Sequence, residues 1–271
     1  MTRGRPASVP RTTASAAEPR AALAGDSDGF SDSDDARPLR ILAEYLQPLY
    51  RFRQEHVHDT VVFFGSSRIT PEGPLRRYYD EARELARRLT EWSNTLPGDR
   101  RFVVCSGGGS GIMEAANRGA ADAGGRTIGL NIGLPDEQRP NPYITPGLSF
   151  EFRYFFMRKL WFSHLARALV VFPGGFGTLD ELMELLTLTQ TRKLDRDIPI
   201  LLYGASYWDE IIDFEAMVRH GVIDRADLQL FSFADDPETA LRILRARLPA
   251  GPERVTPAFA RSRVSSEGGT P

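Results

Sequence analysis

The stretch from Pro173 to Glu181 (PGGFGTLDE) constrains the fold of this chain more than any other. It follows the short apolar run 168–172, whose β-branched residues are typical of a strand buried on both faces. It precedes apolar residues at helical spacing: Leu179, Leu182, Met183 and Leu186. The stretch is therefore predicted to be a strand-to-helix turn, with Thr178 at or near the helix N-cap.

The glycines of this turn suit an anionic ligand. Glycine lets backbone N–H groups approach a ligand closely, and a helix N-terminus adds unpaired donors and partial positive charge. Thr178 and Glu181 also fit a capping box, which would be a purely structural role. The turn is not a P-loop, because no Gly-Lys-Ser/Thr follows the glycines. It is not a dinucleotide fingerprint either, because Asp180 stands where that motif has Gly or Ala.

Strand and helix patterns alternate along the rest of the chain. Strands are predicted at 61–64, 102–105, 127–130, 168–172, 198–203 and 228–233, helices at 38–53, 75–92, 112–123, 208–220 and 237–248, and a strand followed by a helix at 150–163. This alternation predicts an α/β fold, a Rossmann-like doubly wound parallel sheet flanked by helices in a single domain. By composition, 1–37 and 251–271 are predicted to be disordered tails and 38–250 the folded domain.

Three polar, glycine-containing turns follow strands of this predicted sheet: 65–67, 106–111 and 173–181. In a parallel sheet, turns that follow strands lie at one edge, where ligands bind at a topological switch point. The sequence therefore predicts a phosphate-binding cleft where these three turns meet.

Composition excludes several classes of function. The net charge of -2 argues against nucleic-acid binding, and no apolar run approaches the length of a membrane helix. The single cysteine, Cys105, excludes an internal disulfide and fits the cytoplasm. The four histidines show no metal-ligand spacing, so neither a metal nor a cofactor is expected. Lys159 and Lys193 are the only lysines, which leaves few candidates for a Schiff base.

Arg158 and Lys159 lie among aromatic residues between Tyr154 and Phe162, so their charges are expected to be partly buried and paired. A carboxylate such as Glu181 and a guanidinium beside a phosphate site suit cleavage of a ribosyl bond. The sugar develops oxocarbenium-like positive charge in that reaction, and a nearby carboxylate stabilises this charge and can orient water.

Four stretches resemble the LONELY GUY (LOG) family in order and spacing. PGGFGTLDE is similar to its PGGxGTxxE signature, and SGGGSGIMEAAN (106–117) to its glycine-rich turn and helix. Arg158-Lys159 matches its Arg-Lys pair, and 65–67 matches its first turn. The resemblance spans about residues 60–248, and the stretch 134–143 is similar to a longer bacterial branch of the family.

This resemblance implies a cytokinin-activating phosphoribohydrolase, an enzyme that splits a nucleoside 5′-monophosphate into free base and ribose 5-phosphate. Arg158 and Glu181 would be catalytic. The substrate-binding residues would be Ser66, Gly108, Gly109, Glu137, Lys159, Gly174, Gly175, Phe176, Gly177, Thr178, Leu179, Asp180 and Thr187.

The resemblance also implies a homodimer or larger assembly, which would cover apolar surface at 38–50 and 154–162. Phe155-Phe156-Met157 replaces the family's usual Met-His-x before the Arg-Lys pair, which leaves the preferred base open. Two alternatives remain. One is a non-catalytic nucleotide or molybdenum-cofactor carrier or sensor. The other is an interaction protein that uses the acidic N-terminal tail.

Overall fold

The computed structural model describes residues 29–97, 102–133, 139–194 and 196–248. The chain divides into two compact units, one up to Leu42 and the other from Ala43 onward. In the first unit, a short 3₁₀ helix spans Phe30–Asp32 and helix α1 (Arg37–Gln54) begins. The second unit contains the sheet and the other helices of the described residues. Most of both predicted tails lies outside the described residues.

The described residues of the second unit form one seven-stranded parallel sheet in the order β4-β3-β2-β1-β5-β6-β7. Its strands are β1 (Asp59–Phe64), β2 (Phe102–Ser106), β3 (Thr127–Ile132), β4 (Ser149–Phe152), β5 (Ala166–Val171), β6 (Ile200–Tyr203) and β7 (Phe231–Ala234). β1 lies at the centre, with Val61 opposite Val104 on one side and Phe63 opposite Val170 on the other. The predicted doubly wound α/β fold is confirmed.

Helices cover both faces of the sheet. They are α2 (Arg76–Asn94), α3 (Ile112–Asp122), α4 (Phe155–Leu165), α5 (Phe176–Gln190), α6 (Ala205–Ile211), α7 (Phe214–Arg219) and α8 (Pro237–Arg247). The core on one face joins α2, α3 and α8 to strand residues such as Val61, Phe63 and Val170. On the other face, Phe64 of β1 packs edge-on against Phe162 of α4. No helix among the described residues is long and apolar enough to cross a bilayer.

Three predicted elements differ from the structure. The helix predicted at 208–220 is two short helices, α6 and α7, and the backbone breaks at Ile212, which is extended. The strand predicted at 228–233 begins only at Phe231, because Arg225–Gln229 forms a 3₁₀ helix closed by a capping box between Asp224 and Asp227. The predicted strand-to-helix turn at 173–181 is confirmed, but α5 begins earlier than expected, at Phe176, with Gly175 as its N-cap, so Thr178 lies in the first turn of the helix, near the cap and not at it.

Candidate active site

The site lies where the sheet order reverses. The chain runs outward from β1 to β4 on one side and then returns to β5, so β1 and β5 are neighbours at the switch point. The turns that follow them are joined by the Ser66 backbone N–H, which donates to the Pro173 carbonyl at 3.0 Å. The Ile112 N–H donates to the Ser66 carbonyl at 3.1 Å, so the turn after β2 packs against the same backbone.

A cavity of about 830 Å³ opens between these turns. Its lining comes from the loop 65–75, from the turn and helix start 173–179, and from single residues of several helices. Apolar side chains such as Phe155 and Phe176 form part of its wall, and Phe176 is 92% exposed. The charged side chains in the described lining are Arg68, Arg158 and Glu181. A cavity of this size fits a nucleotide-sized ligand.

Arg158 and Glu181 form an ion pair in this cavity. Nη1 of Arg158 lies 3.1 Å from Oε1 of Glu181, and the two side chains are only 11% and 12% exposed. Nε of Arg158 also donates to the Leu130 carbonyl at 2.7 Å, and its guanidinium lies 5.0 Å above the Phe162 ring. The pair therefore joins α4 to α5 beneath the turns. The two residues predicted to be catalytic are therefore in contact, and Arg158 is also held by Leu130 of β3 and Phe162 of α4.

The protonation of Glu181 follows from its burial. Desolvation raises the pKa of Glu181 to about 7, because burial disfavours the carboxylate more than the neighbouring Arg158 guanidinium favours it. Burial also lowers the pKa of Arg158, against the opposing effect of Glu181. Glu181 can therefore exchange a proton near neutral pH while Arg158 stays charged, as a group with a proton-transfer role requires.

Gly107 makes room for the Arg158 guanidinium. A Cβ at Gly107 would lie 2.5 Å from Nη2 of Arg158 and 2.6 Å from Sδ of Met113. No side chain larger than hydrogen fits there unless both Arg158 and Met113 move. Gly107 lies in the predicted glycine-rich turn, but the family resemblance implies a binding role for its neighbours Gly108 and Gly109 and not for Gly107 itself.

The second predicted cation, Lys159, is paired on the other side of α4. Its Nζ lies 2.7 Å from Asp180 and 2.9 Å from Glu184, both on α5. Burial lowers the pKa of Lys159, but the hydrogen bonds with Asp180 and Glu184 outweigh burial and leave it raised. A Schiff-base lysine needs a lowered pKa, so Lys159 does not suit that chemistry.

The first turn of α5 presents free backbone donors to the cavity. The N–H groups of Phe176, Gly177 and Thr178 have no acceptor among the described residues, and no side chain caps the helix. The capping-box alternative for Thr178 and Glu181 therefore fails. Thr178 is buried against Gly174, whose carbonyl accepts a 2.8 Å hydrogen bond from the Tyr207 hydroxyl.

The remaining predicted substrate-binding residues fall into three groups. Ser66 and the residues from Gly174 to Leu179 line the cavity. Gly108, Gly109, Lys159, Asp180 and Thr187 lie outside its lining, and Glu137 lies outside the described residues. Their role in substrate binding stays a prediction.

The turn of Gly108 and Gly109 is held together internally. The Gly108 N–H donates to the Ser106 hydroxyl, and both glycine carbonyls accept from the Asn141 side chain at 3.0–3.1 Å. Gly108 has a φ of +76°, a conformation that favours glycine. The shape of the turn thus explains why residue 108 is a glycine.

Arg68 and Tyr207 line the cavity although neither was a predicted site residue. Each follows a strand within a few residues, Arg68 after β1 and Tyr207 after β6. The rule that ligands bind at the carboxyl ends of strands would have included both, but nothing in the local sequence separates them from ordinary loop residues.

Two comparisons with known proteins support the family resemblance found in the sequence. A family model described as "Possible lysine decarboxylase" matches residues 113–244. A probable cytokinin riboside 5′-monophosphate phosphoribohydrolase, LOG4 of Oryza sativa subsp. japonica, is 28% identical over 182 residues, which are 66% of this chain and 73% of the relative. This chain is therefore similar to proteins of the LOG family. The resemblance found in the sequence is thus confirmed, and the model's description is the older label for such proteins.

A second LOG-family relative and one solved structure extend the comparison. The cytokinin riboside 5′-monophosphate phosphoribohydrolase LOG2 of Arabidopsis thaliana is 26% identical over 192 residues, 69% of this chain and 83% of the relative. A structural-genomics protein solved by X-ray methods aligns with a TM-score of 0.51 at 24% identity, covering 69% of this chain and 99% of its own. The latter likeness concerns the fold alone.

Proposed function

We propose that this protein hydrolyses the N-glycosidic bond of purine or cytokinin nucleoside 5′-monophosphates, releasing the free base and ribose 5-phosphate. The observation that carries the proposal is the buried Arg158–Glu181 pair in a cavity that also receives the free N-terminal amides of α5. The names of the LOG relatives support the same reaction.

The α5 N-terminus would bind the 5′-phosphate. Three backbone N–H groups and the positive end of the helix dipole favour an anion there. Glu181 lies one turn further along the same helix, on the side that faces Arg158. A phosphate bound at the start of α5 would thereby bring the ribose close to the carboxylate, so binding energy from the phosphate would help to orient the reacting carbon.

Glu181 would act on the sugar and on water. As the bond between C1′ and the base nitrogen breaks, positive charge develops on the ribose, and ionised Glu181 stabilises it. The oxygen of a water molecule bonds to C1′, and Glu181 accepts a proton from that water and passes it to the nitrogen of the departing base. Arg158 holds the carboxylate and keeps it ionised more readily than burial alone would allow.

A product assay tests this proposal. The purified protein is incubated with a panel of nucleoside 5′-monophosphates, including AMP and isopentenyladenosine monophosphate, and free base and ribose 5-phosphate are measured. Equimolar release of both from at least one nucleotide is the expected result. Binding without release from any member would overturn the enzyme and favour the non-catalytic carrier. The panel also identifies the preferred base.

A further inference from the structure

We propose that Arg68 is the residue that recognises the charge of the substrate's phosphate. This inference rests on the proposed function, because it assigns the cation that this nucleotide site requires. Arg68 lies in the loop after β1, at the switch point, and lines the same cavity as Arg158 and Glu181.

The charge balance of the cavity singles out Arg68. Of the three charged side chains in the described lining, Arg158 and Glu181 neutralise each other at 3.1 Å. Lys159, the other cation predicted for this site, is bound to Asp180 and Glu184. The Arg68 side chain has no carboxylate partner among the described residues and is exposed. It supplies the net positive charge of the described lining.

The backbone of Arg68 is held in place, whereas its side chain makes no ion pair with the residues that the structure describes. The Arg68 N–H donates to the Ser66 hydroxyl at 3.1 Å, and the Ser67 carbonyl accepts from the Ser110 hydroxyl at 3.1 Å. On the other side, Ile69 is 4% exposed and belongs to the core. Because both flanks are anchored, the Arg68 Cα has a fixed position and only its side chain can adjust to a ligand.

This arrangement fits a phosphate monoester better than a neutral ligand. An arginine fork binds two phosphate oxygens at once, and a partnerless arginine gives up no internal ion pair when it does so. The Ser66 N–H bond to Pro173 joins the base of the Arg68 loop to the turn that begins α5. An anion between the loop and the helix start would contact both.

The test compares Arg68→Gln and Arg68→Lys with the wild-type protein, using AMP, adenosine and ribose 5-phosphate as probes. Arg225→Gln is the matched control, since Arg225 is exposed and lies outside the cavity lining. The variants should fold, because the Arg68 side chain has no partner to lose among the described residues, and thermal unfolding verifies this.

Arg68→Gln is expected to raise KM for AMP roughly 10- to 100-fold. It should also raise the inhibition constant of ribose 5-phosphate by a similar factor. Cleavage of adenosine, which has no phosphate, should not change. Arg68→Lys should restore part of the affinity, because it keeps the charge and loses the fork. Arg225→Gln should match the wild type.

The outcomes separate this inference from the proposed function. If the wild type cleaves AMP and Arg68→Gln has an unchanged KM, Arg68 is not the phosphate residue and the hydrolase stands. If the wild type cleaves no nucleotide but Arg68→Gln weakens AMP binding in calorimetry, the hydrolase fails and the role of Arg68 stands. If the wild type neither cleaves nor binds AMP, both are overturned.

Discussion

At the scale of single residues, Glu181 is the side chain on which the proposed reaction depends most. Glu181→Gln keeps the size of the side chain but removes the charge that would offset an oxocarbenium ion. We expect turnover to fall roughly a hundredfold or more with the protein still folded. The measurement is release of base from AMP beside circular dichroism, with Glu215→Gln as an exposed control. Near-normal turnover in Glu181→Gln would remove this residue from the mechanism.

The raised pKa of Glu181 predicts how turnover depends on pH. The reaction needs ionised Glu181, and burial raises its pKa to about 7, so kcat should rise as the pH increases through neutrality and then level off. Measurement at saturating AMP reduces the contribution of substrate binding to this profile. The residual activity of Glu181→Gln should lack the rise. A wild-type profile that is flat from pH 5.5 to 9 would contradict an essential ionisation of Glu181.

The close approach of Gly107 to Arg158 predicts that a larger residue at position 107 lowers turnover and shifts its pH dependence. In Gly107→Ala the new methyl group displaces the guanidinium, so Arg158 no longer pairs well with Glu181. A displacement of about 1 Å can cost roughly a hundredfold in rate. Because Arg158 lowers the pKa of Glu181, the rise in kcat should also move to higher pH. Gly133→Ala is the control, since among the described residues its Cβ would meet only the movable end of Glu151, at 3.3 Å, and the Phe152 carbonyl, at 3.8 Å. An unmoved profile would mean that Arg158 tolerates the methyl group.

At the scale of elements, α6 holds the turn that starts α5. The Tyr207 hydroxyl donates to the Gly174 carbonyl across the mouth of the cavity. Removing this bond in Tyr207→Phe should cost about 1 kcal/mol of the turn's stability and raise KM for AMP several-fold. Tyr50→Phe on α1, where the ring is 60% exposed, is the control. Equal KM values in the two variants would show that the turn keeps its shape without α6.

The sequence predicted the strands that lead into the site better than the helices beside it. Periodicity and the glycine turns identified β1, β2 and β5, because buried parallel strands are continuous apolar runs. It misplaced the start of α5, since a Thr-x-x-Glu pattern has the same spacing inside a helix as at its cap. It also joined α6 to α7, because both carry apolar residues at helical spacing across the break at Ile212.

At the scale of the whole molecule, the site exists because distant parts of the chain meet at one edge of the sheet. Arg68, Arg158 and Glu181 are widely separated in sequence and reach one cavity through β1, α4 and α5. A motif search finds the residues within PGGFGTLDE, since they are contiguous. It cannot find the Leu130 carbonyl that holds Arg158, because a backbone contact of this kind has no sequence signature.

The outer surface of the second unit supports the expectation, stated from the sequence, that this chain forms a dimer or larger assembly. Leu46 and Tyr50 of α1 are 48% and 60% exposed, and Phe155 and Phe156 of α4 are 53% and 50% exposed. The two helices pack together, because Trp161 of α4 donates its indole N–H to the Glu44 carbonyl at 3.0 Å. Large apolar side chains exposed on adjacent helices are typical of an interaction surface.

We therefore expect a dimer or larger assembly in sedimentation velocity at micromolar concentration. Phe156→Glu places a charge on this surface and should shift the protein toward the monomer, since burying an unpaired carboxylate in an apolar interface is costly. Val222→Glu is the matched control, because Val222 is 70% exposed in a turn outside both helices. A wild-type monomer would contradict self-association altogether. Of the two substituted residues, Phe156 lies on the exposed surface of α1 and α4 and Val222 does not. If both variants dissociated equally, the interface would therefore lie elsewhere.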